Sequence, residues 1–261
     1  MKNSAPDSKE RFSNRVADYI QFRPSYPPQV LQTLRDECGL QKGHVIADIG
    51  SGTGIWSEIL LRNGNTVFGV EPNAAMRGAA EKLLIEYSMF HGVAAPAEET
   101  TLQAQSVDFV TAAQAFHWFD REKCRLEFRR ILHPQGQVVL LWNERQTDTT
   151  PFLRDYEKLL QTFATDYAQV NHTNINNDVL REFYGSGFQS RTFPNVQTFD
   201  YAALAGRLLS SSYAPDASDA RHAPMLRELE NIFARHQSQG VVRFEYGCNL
   251  YFGQLHRVLD E

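Results

Sequence analysis

Residues 44–61, "HVIADIGSGTGIWSEILL", decide the fold. The stretch opens on a short apolar run, the pattern of a strand buried on both faces. The run stops at Ile49, glycines stand at 50, 52 and 54, and an amphipathic helix pattern follows at once. Gly50 permits a tight turn, Gly52 lets the backbone approach a ligand closely, and Gly54 permits close packing of the helix. The helix start offers unpaired N–H groups to an anion or a carboxylate.

Outward from this stretch the chain alternates. Strand patterns read at "TVFGVEP" (66–72), "SMFHGV" (88–93), "VDFVTA" (107–112) and "QVVLLWN" (137–143), the last entered through a turn at "HPQG" (133–136). Helical patterns lie between them at 74–87 and 120–132. In the second, Cys124, Phe128, Ile131 and Leu132 recur at three- and four-residue spacing. Strands interleaved with helices imply βαβ units and a mainly parallel sheet. Upstream, residues 11–40 hold a short helix, a break at Pro24, Pro27 and Pro28, and a second helix. Residues 151–167 and 178–187 read as helices inserted over the sheet, with Phe152, Tyr156, Leu159 and Phe163 forming a stripe more typical of core than of pocket. Beyond them, 188–199 is extended, 201–211 and 223–236 are helical, and 241–253 closes as an antiparallel strand. The expected organisation is an N-terminal helical cap (1–40), a cofactor-binding core (41–143), a helical insertion shaping the acceptor site (144–187), and the C-terminal part of the same α/β domain (188–261).

Glu71 ends the second strand pattern, 21 residues after Gly50. In an open α/β sheet that position faces the crevice and can accept both ribose hydroxyl protons, so the sequence predicts a nucleoside-containing cofactor. Ile55 stands where a dinucleotide fingerprint has its last glycine, and no G-x-x-x-x-G-K-[ST] occurs, so phosphate-cradling chemistry has no support.

The formal charge of -5 over 261 residues gives no broad attraction for nucleic acid or an anionic membrane. No run of eighteen apolar residues occurs, and the polar start "MKNSAPDSKE" lacks a signal-peptide core. Cys38, Cys124 and Cys248 are too few and too scattered for a disulfide framework or a metal cluster. These features predict a cytoplasmic protein with no metal, no nucleic-acid partner and no membrane partner.

"ADIGSGTG", "GVEPNAAM", "AAPAEE", "SVDFVTAAQAFHWFD" and "EFRRILHPQGQVVLLWN" occur in that order. Together they closely resemble a class I S-adenosylmethionine-dependent methyltransferase of the small-molecule, methyltransferase type 11 or UbiE-like branch. The resemblance is strong over 40–142 and looser elsewhere. It implies a Rossmann-like α/β fold: a seven-stranded, mainly parallel sheet with helices on both faces, an antiparallel C-terminal strand, and helical N-terminal and mid-chain caps. It implies S-adenosylmethionine as cofactor and a small-molecule acceptor as partner. Asp48 would orient the methionine amino group, and Gly50, Ser51 and Gly52 would line the methionine and ribose. Glu71 would hold the ribose hydroxyls, while Pro72 and Met76 would lie near adenine. Ala97 and Glu98 would stand at the adenine edge, where Pro96 replaces a frequent aspartate and leaves Glu98 or a backbone group to accept from the amino group. Gln114 would sit close to the transferable methyl.

The front of the crevice admits two readings at each residue. His117 is a general base or a hydrogen-bonded scaffold residue. Trp118 walls the pocket or packs in the core, and Asp120 suits an N-cap. The resemblance places the N-terminal region over the cofactor, with Tyr19 near the sulfonium. Arg23 pairs with the methionine carboxylate, with a substrate acid, or with a surface or interdomain carboxylate. Arg145, Arg207 and His256 are too isolated in sequence to carry named roles. The function expected is methyl transfer to a small-molecule O, N or C nucleophile by direct displacement. A noncatalytic S-adenosylmethionine-binding protein and an NAD(P)-dependent oxidoreductase are the alternatives.

Overall fold

A computed structural model describes residues 22–165, 176–185, 187–211 and 213–255. Its strands are β1 (Val45–Ile49), β2 (Thr66–Val70), β3 (Phe90–Val93), β4 (Val107–Ala113), β5 (Leu132–Arg145), β6 (Gln189–Phe199) and β7 (Val242–Gly253). Its helices are α1 (Pro28–Glu37), α2 (Ile55–Arg62), α3 (Ala74–Leu83), α4 (Arg121–Ile131), α5 (Pro151–Phe163), α6 (Asn177–Tyr184), α7 (Tyr201–Leu209) and α8 (His222–His236). The strands form one seven-stranded sheet in the order β3-β2-β1-β4-β5-β7-β6. The pairs β1/β2, β1/β4, β2/β3 and β4/β5 are parallel. Because β1 lies between β2 and β4, the chain reverses its direction of travel across the sheet there, opening a crevice at the carboxyl ends of the strands.

The described residues divide into two compact units. The sheet unit comprises 25–143, 176–185, 187–193 and 248–255; the second unit comprises 22–24, 144–165, 194–211 and 213–247. In the sheet unit, successive residues alternate between two cores. Ala47, Ile49, Val110, Val138 and Leu140 join α4 residues Cys124, Phe128 and Ile131. Ile46, Phe109, Val139 and Leu141 join Val30 and Leu34 of α1 and Trp56 and Leu60 of α2. Burial on both faces is why the strand patterns are continuously apolar. The second unit has its own core, in which the α5 stripe Phe152, Tyr156 and Leu159 meets Leu204, Leu208, Met225, Leu229 and Phe244. That stripe is core.

The turn expected at "HPQG" is instead part of β5. Val107 pairs with Leu132 and Phe109 with Gln137, so residues 133–136 bulge out of the ladder. Pro134 has no N–H to donate, and a bulge accommodates it without ending the strand. Among the described residues no helix is long and apolar enough to cross a membrane. The helix expected within 11–22 lies almost wholly outside the described residues, as do Tyr19 and His256.

Candidate cofactor site

The glycine turn after β1 is held from β2. The N–H groups of Gly50 and Ser51 both donate to the Val70 carbonyl, at 2.8 and 3.3 Å. Gly50 has φ +68°, and a Cβ there would lie 2.6 Å from the Ala115 Cβ, so the turn needs glycine twice over. At Gly54 (φ +86°) a Cβ would lie 2.7 Å from the Leu84 side chain just beyond α3, the close helix packing expected of that glycine. A Cβ built on Gly52 meets only the Met76 methyl, at 3.5 Å. Met76 and the middle of the glycine turn therefore stand together.

Two carboxylates flank this turn. Asp48 is 1% exposed; its Oδ2 accepts from Ser57 Oγ at 2.6 Å and its Oδ1 from Thr111 Oγ1 at 3.1 Å. Burial pushes it up to about 7, against the pull of those two hydroxyls and with a further push from the Glu71 charge. Glu71, 9% exposed, accepts from the N–H of Gly52 at 3.0 Å through Oε2 and from that of Asn73 at 2.8 Å through Oε1. Burial raises its pKa too, although both backbone bonds favour the charged form. Each carboxylate oxygen has a second lone pair, so these bonds leave acceptor capacity. Two carboxylates held above their ordinary range gain from an arriving cation.

The exit of β4 forms the third side. Gln114 takes a left-handed φ of +59°. Its N–H donates to Leu141 O at 2.9 Å and its Nε2 to Asn143 O at 3.1 Å. Its Oε1 is buried without a partner. A buried amide oxygen left unpaired is costly, and a ligand donor would relieve that cost. Ala115 and the Phe119 ring lie against Gly50, so the loop from 114 to 120 crosses the glycine turn. Phe116 is fully buried between Trp142 and Phe183. His117 lies in the 3₁₀ turn Phe116–Trp118 with its ring 4.9 Å from that of Trp118. Trp118 is 42% exposed, which removes it from the core. Asp120 caps α4 by accepting from the Lys123 N–H at 3.3 Å.

Glu98 Oε1 accepts from the Asp120 N–H at 2.9 Å and so braces the start of α4. The Ala97 side chain is buried in the core shared with Ala95 and Phe116. Pro72 is exposed at the start of the turn into α3. Arg23 belongs to the second unit, where its Nη2 donates to Ser210 O at 3.2 Å. Tyr19 is outside the described residues. Sequence reasoning missed Ser57, Thr111, Asn73 and Asn143. Only Asn73 carried a readable signal, an asparagine directly before a helical run; its side chain accepts from the N–H groups of Ala75 and Met76. Among the described residues no group of His, Cys, Asp and Glu side chains converges on a metal position.

A family model described as a methyltransferase domain matches residues 47–140. An uncharacterized methyltransferase of Schizosaccharomyces pombe is 30% identical over 153 residues, 58% of this chain and 59% of that protein's length. One from Geobacillus thermodenitrificans is 30% identical over 160 residues, 60% of this chain and 67% of that one. Among solved structures, a candidate type II methyltransferase from Anaeromyxobacter dehalogenans shares the fold with a TM-score of 0.66. It is 21% identical, over 90% of this chain and 98% of its own.

Proposed function

The chain belongs to the class I S-adenosylmethionine-dependent methyltransferases, in the branch whose methyltransferase domain matches residues 47–140, and from that premise we propose that it methylates a small-molecule O, N or C nucleophile. The observation that carries the reading is the crevice at the β1/β4 switch point, where Glu71 is tied to Gly52 beside a buried Asp48 and the unpartnered Gln114 Oε1. When bound, S-adenosylmethionine supplies a methyl group on a sulfonium, whose carbon–sulfur electron pair departs with sulfur as a neutral thioether.

The residues fit that cofactor. Glu71 accepts from the ribose hydroxyls with the lone pairs left by Gly52 and Asn73. Asp48 favours the ammonium, and Gln114 Oε1 accepts from a donor of the methionine part. Met76 and Pro72 provide apolar surface for adenine, with Glu98 committed to Asp120 and a backbone group left to take the amino edge. The chain's share of the chemistry is to align the nucleophile with the methyl carbon and to exclude water. His117 accepts the nucleophile's proton where there is one to lose.

Calorimetric titration tests the reading. S-Adenosylmethionine and S-adenosylhomocysteine should each bind once per chain, and Glu71→Ala should weaken both by roughly tenfold or more, since hydrogen bonds to a charged group are lost. Failure of the folded protein to bind either compound would overturn the proposal. Binding without methyl transfer to any acceptor would instead mark a noncatalytic binding protein.

A further inference from the structure

Arg207, left without a role by its isolation in the sequence, lies in the last turn of α7 and is 7% exposed. Its Nη1 donates to Ser211 Oγ at 3.1 Å. Its Nε is buried with no acceptor, and among the described residues no carboxylate pairs with it. Tyr156, Tyr213 and Tyr246 belong to the core that packs against this helix, and the Tyr246 hydroxyl donates to Gln197 Oε1 at 2.9 Å. Glu157 is engaged elsewhere, by Arg145, whose guanidinium also sits over the Tyr156 ring at 5.2 Å. A second guanidinium, Arg23, reaches the same end of α7 through the Ser210 carbonyl.

The negative end of α7 offsets only part of this charge. Removing a guanidinium from water is expensive, and buried charges are ordinarily paired. A leucine or methionine would fill the same volume at no such cost. The Nε–H and the adjoining Nη2 form the edge of a guanidinium that takes a carboxylate side-on. Tyrosine rings in the same core offer apolar contact that an organic anion uses and a hydrated inorganic ion does not.

We propose that Arg207 is an anion receptor, and that the second unit binds a small organic acid by its carboxylate at the Nε edge of Arg207, within the core that also holds Tyr156, Tyr213 and Tyr246. The inference goes beyond the cofactor reading and stands apart from it.

The test uses the full chain, by calorimetry and thermal shift, with acetate, succinate, citrate and phenylacetate set against inorganic phosphate and sulfate. At least one organic acid should bind and raise the melting temperature, with phosphate and sulfate weaker by roughly tenfold. Arg207→Met should weaken that binding by roughly tenfold or more while S-adenosylhomocysteine affinity stays unchanged. Where Arg207→Met does not fold, Arg207→Lys, which keeps the charge and loses the planar fork, should weaken acid binding severalfold. The inference is overturned if none of the acids binds the folded wild-type protein, if phosphate or sulfate binds as tightly, or if the folded variants bind the acid unchanged. Acid binding in a protein that takes no S-adenosylhomocysteine would refute the cofactor reading and leave this one standing.

Discussion

Asp48 shows how one buried residue links the fold to pH. Its pKa in the folded chain is raised to about 7 by burial, against about 4 for an ordinary aspartate. Between those values the folded protein holds a proton that the unfolded chain has released. Stability therefore falls as pH rises from about 4 to about 7, by a few kcal/mol. Asp48→Asn, which mimics the protonated form, should flatten that slope in urea melts across the window; an unaltered slope would assign it to other groups. A second test at this scale concerns His117. His117→Gln should lower kcat roughly 100-fold or more while leaving S-adenosylhomocysteine affinity unchanged, if its ring takes the acceptor's proton. An unchanged kcat would make it a scaffold residue of the 3₁₀ turn. The sequence singled out both residues, but the partners that set their behaviour lie far along the chain. Thr111 reaches Asp48 because the parallel register sets the two residues side by side, and no local pattern announces that pairing.

Among the elements, α3 links packing to the site. Asn73 caps it by accepting from two backbone N–H groups, while its own N–H is held by Glu71. The first turn so fixed carries Met76 to the glycine turn. Asn73→Ala should cost about 1 kcal/mol of stability in chemical denaturation and weaken S-adenosylhomocysteine binding, since the first turn that carries Met76 loses its cap. A loss of stability without a loss of affinity would separate the cap from the site. The strand and helix pattern of this region was legible because burial on two faces, helical periodicity and glycine punctuation are local signals. The β5 bulge was not, because proline and glycine favour turns and bulges alike, and only pairing with β4 decides between them.

At the scale of the whole molecule, the chain contains two units with separate cores, and the crevice residues Asp48, Gly52, Glu71, Met76 and Gln114 all belong to the sheet unit. Amide hydrogen exchange with and without S-adenosylhomocysteine should therefore show new protection concentrated in 50–54, 71–76 and 112–116. Protection confined to the second unit would place the ligand elsewhere. The sequence by itself determined the α/β alternation, the glycine turn and the carboxylate at Glu71, because each depends on residues that are neighbours along the chain. Only the tertiary structure decided that Glu98 braces α4, that Gln114 keeps an unpaired buried oxygen, and that Arg207 lies buried with no carboxylate partner among the described residues. Those outcomes depend on strand register and on which remote segments exclude water from a polar group, and packing alone sets both.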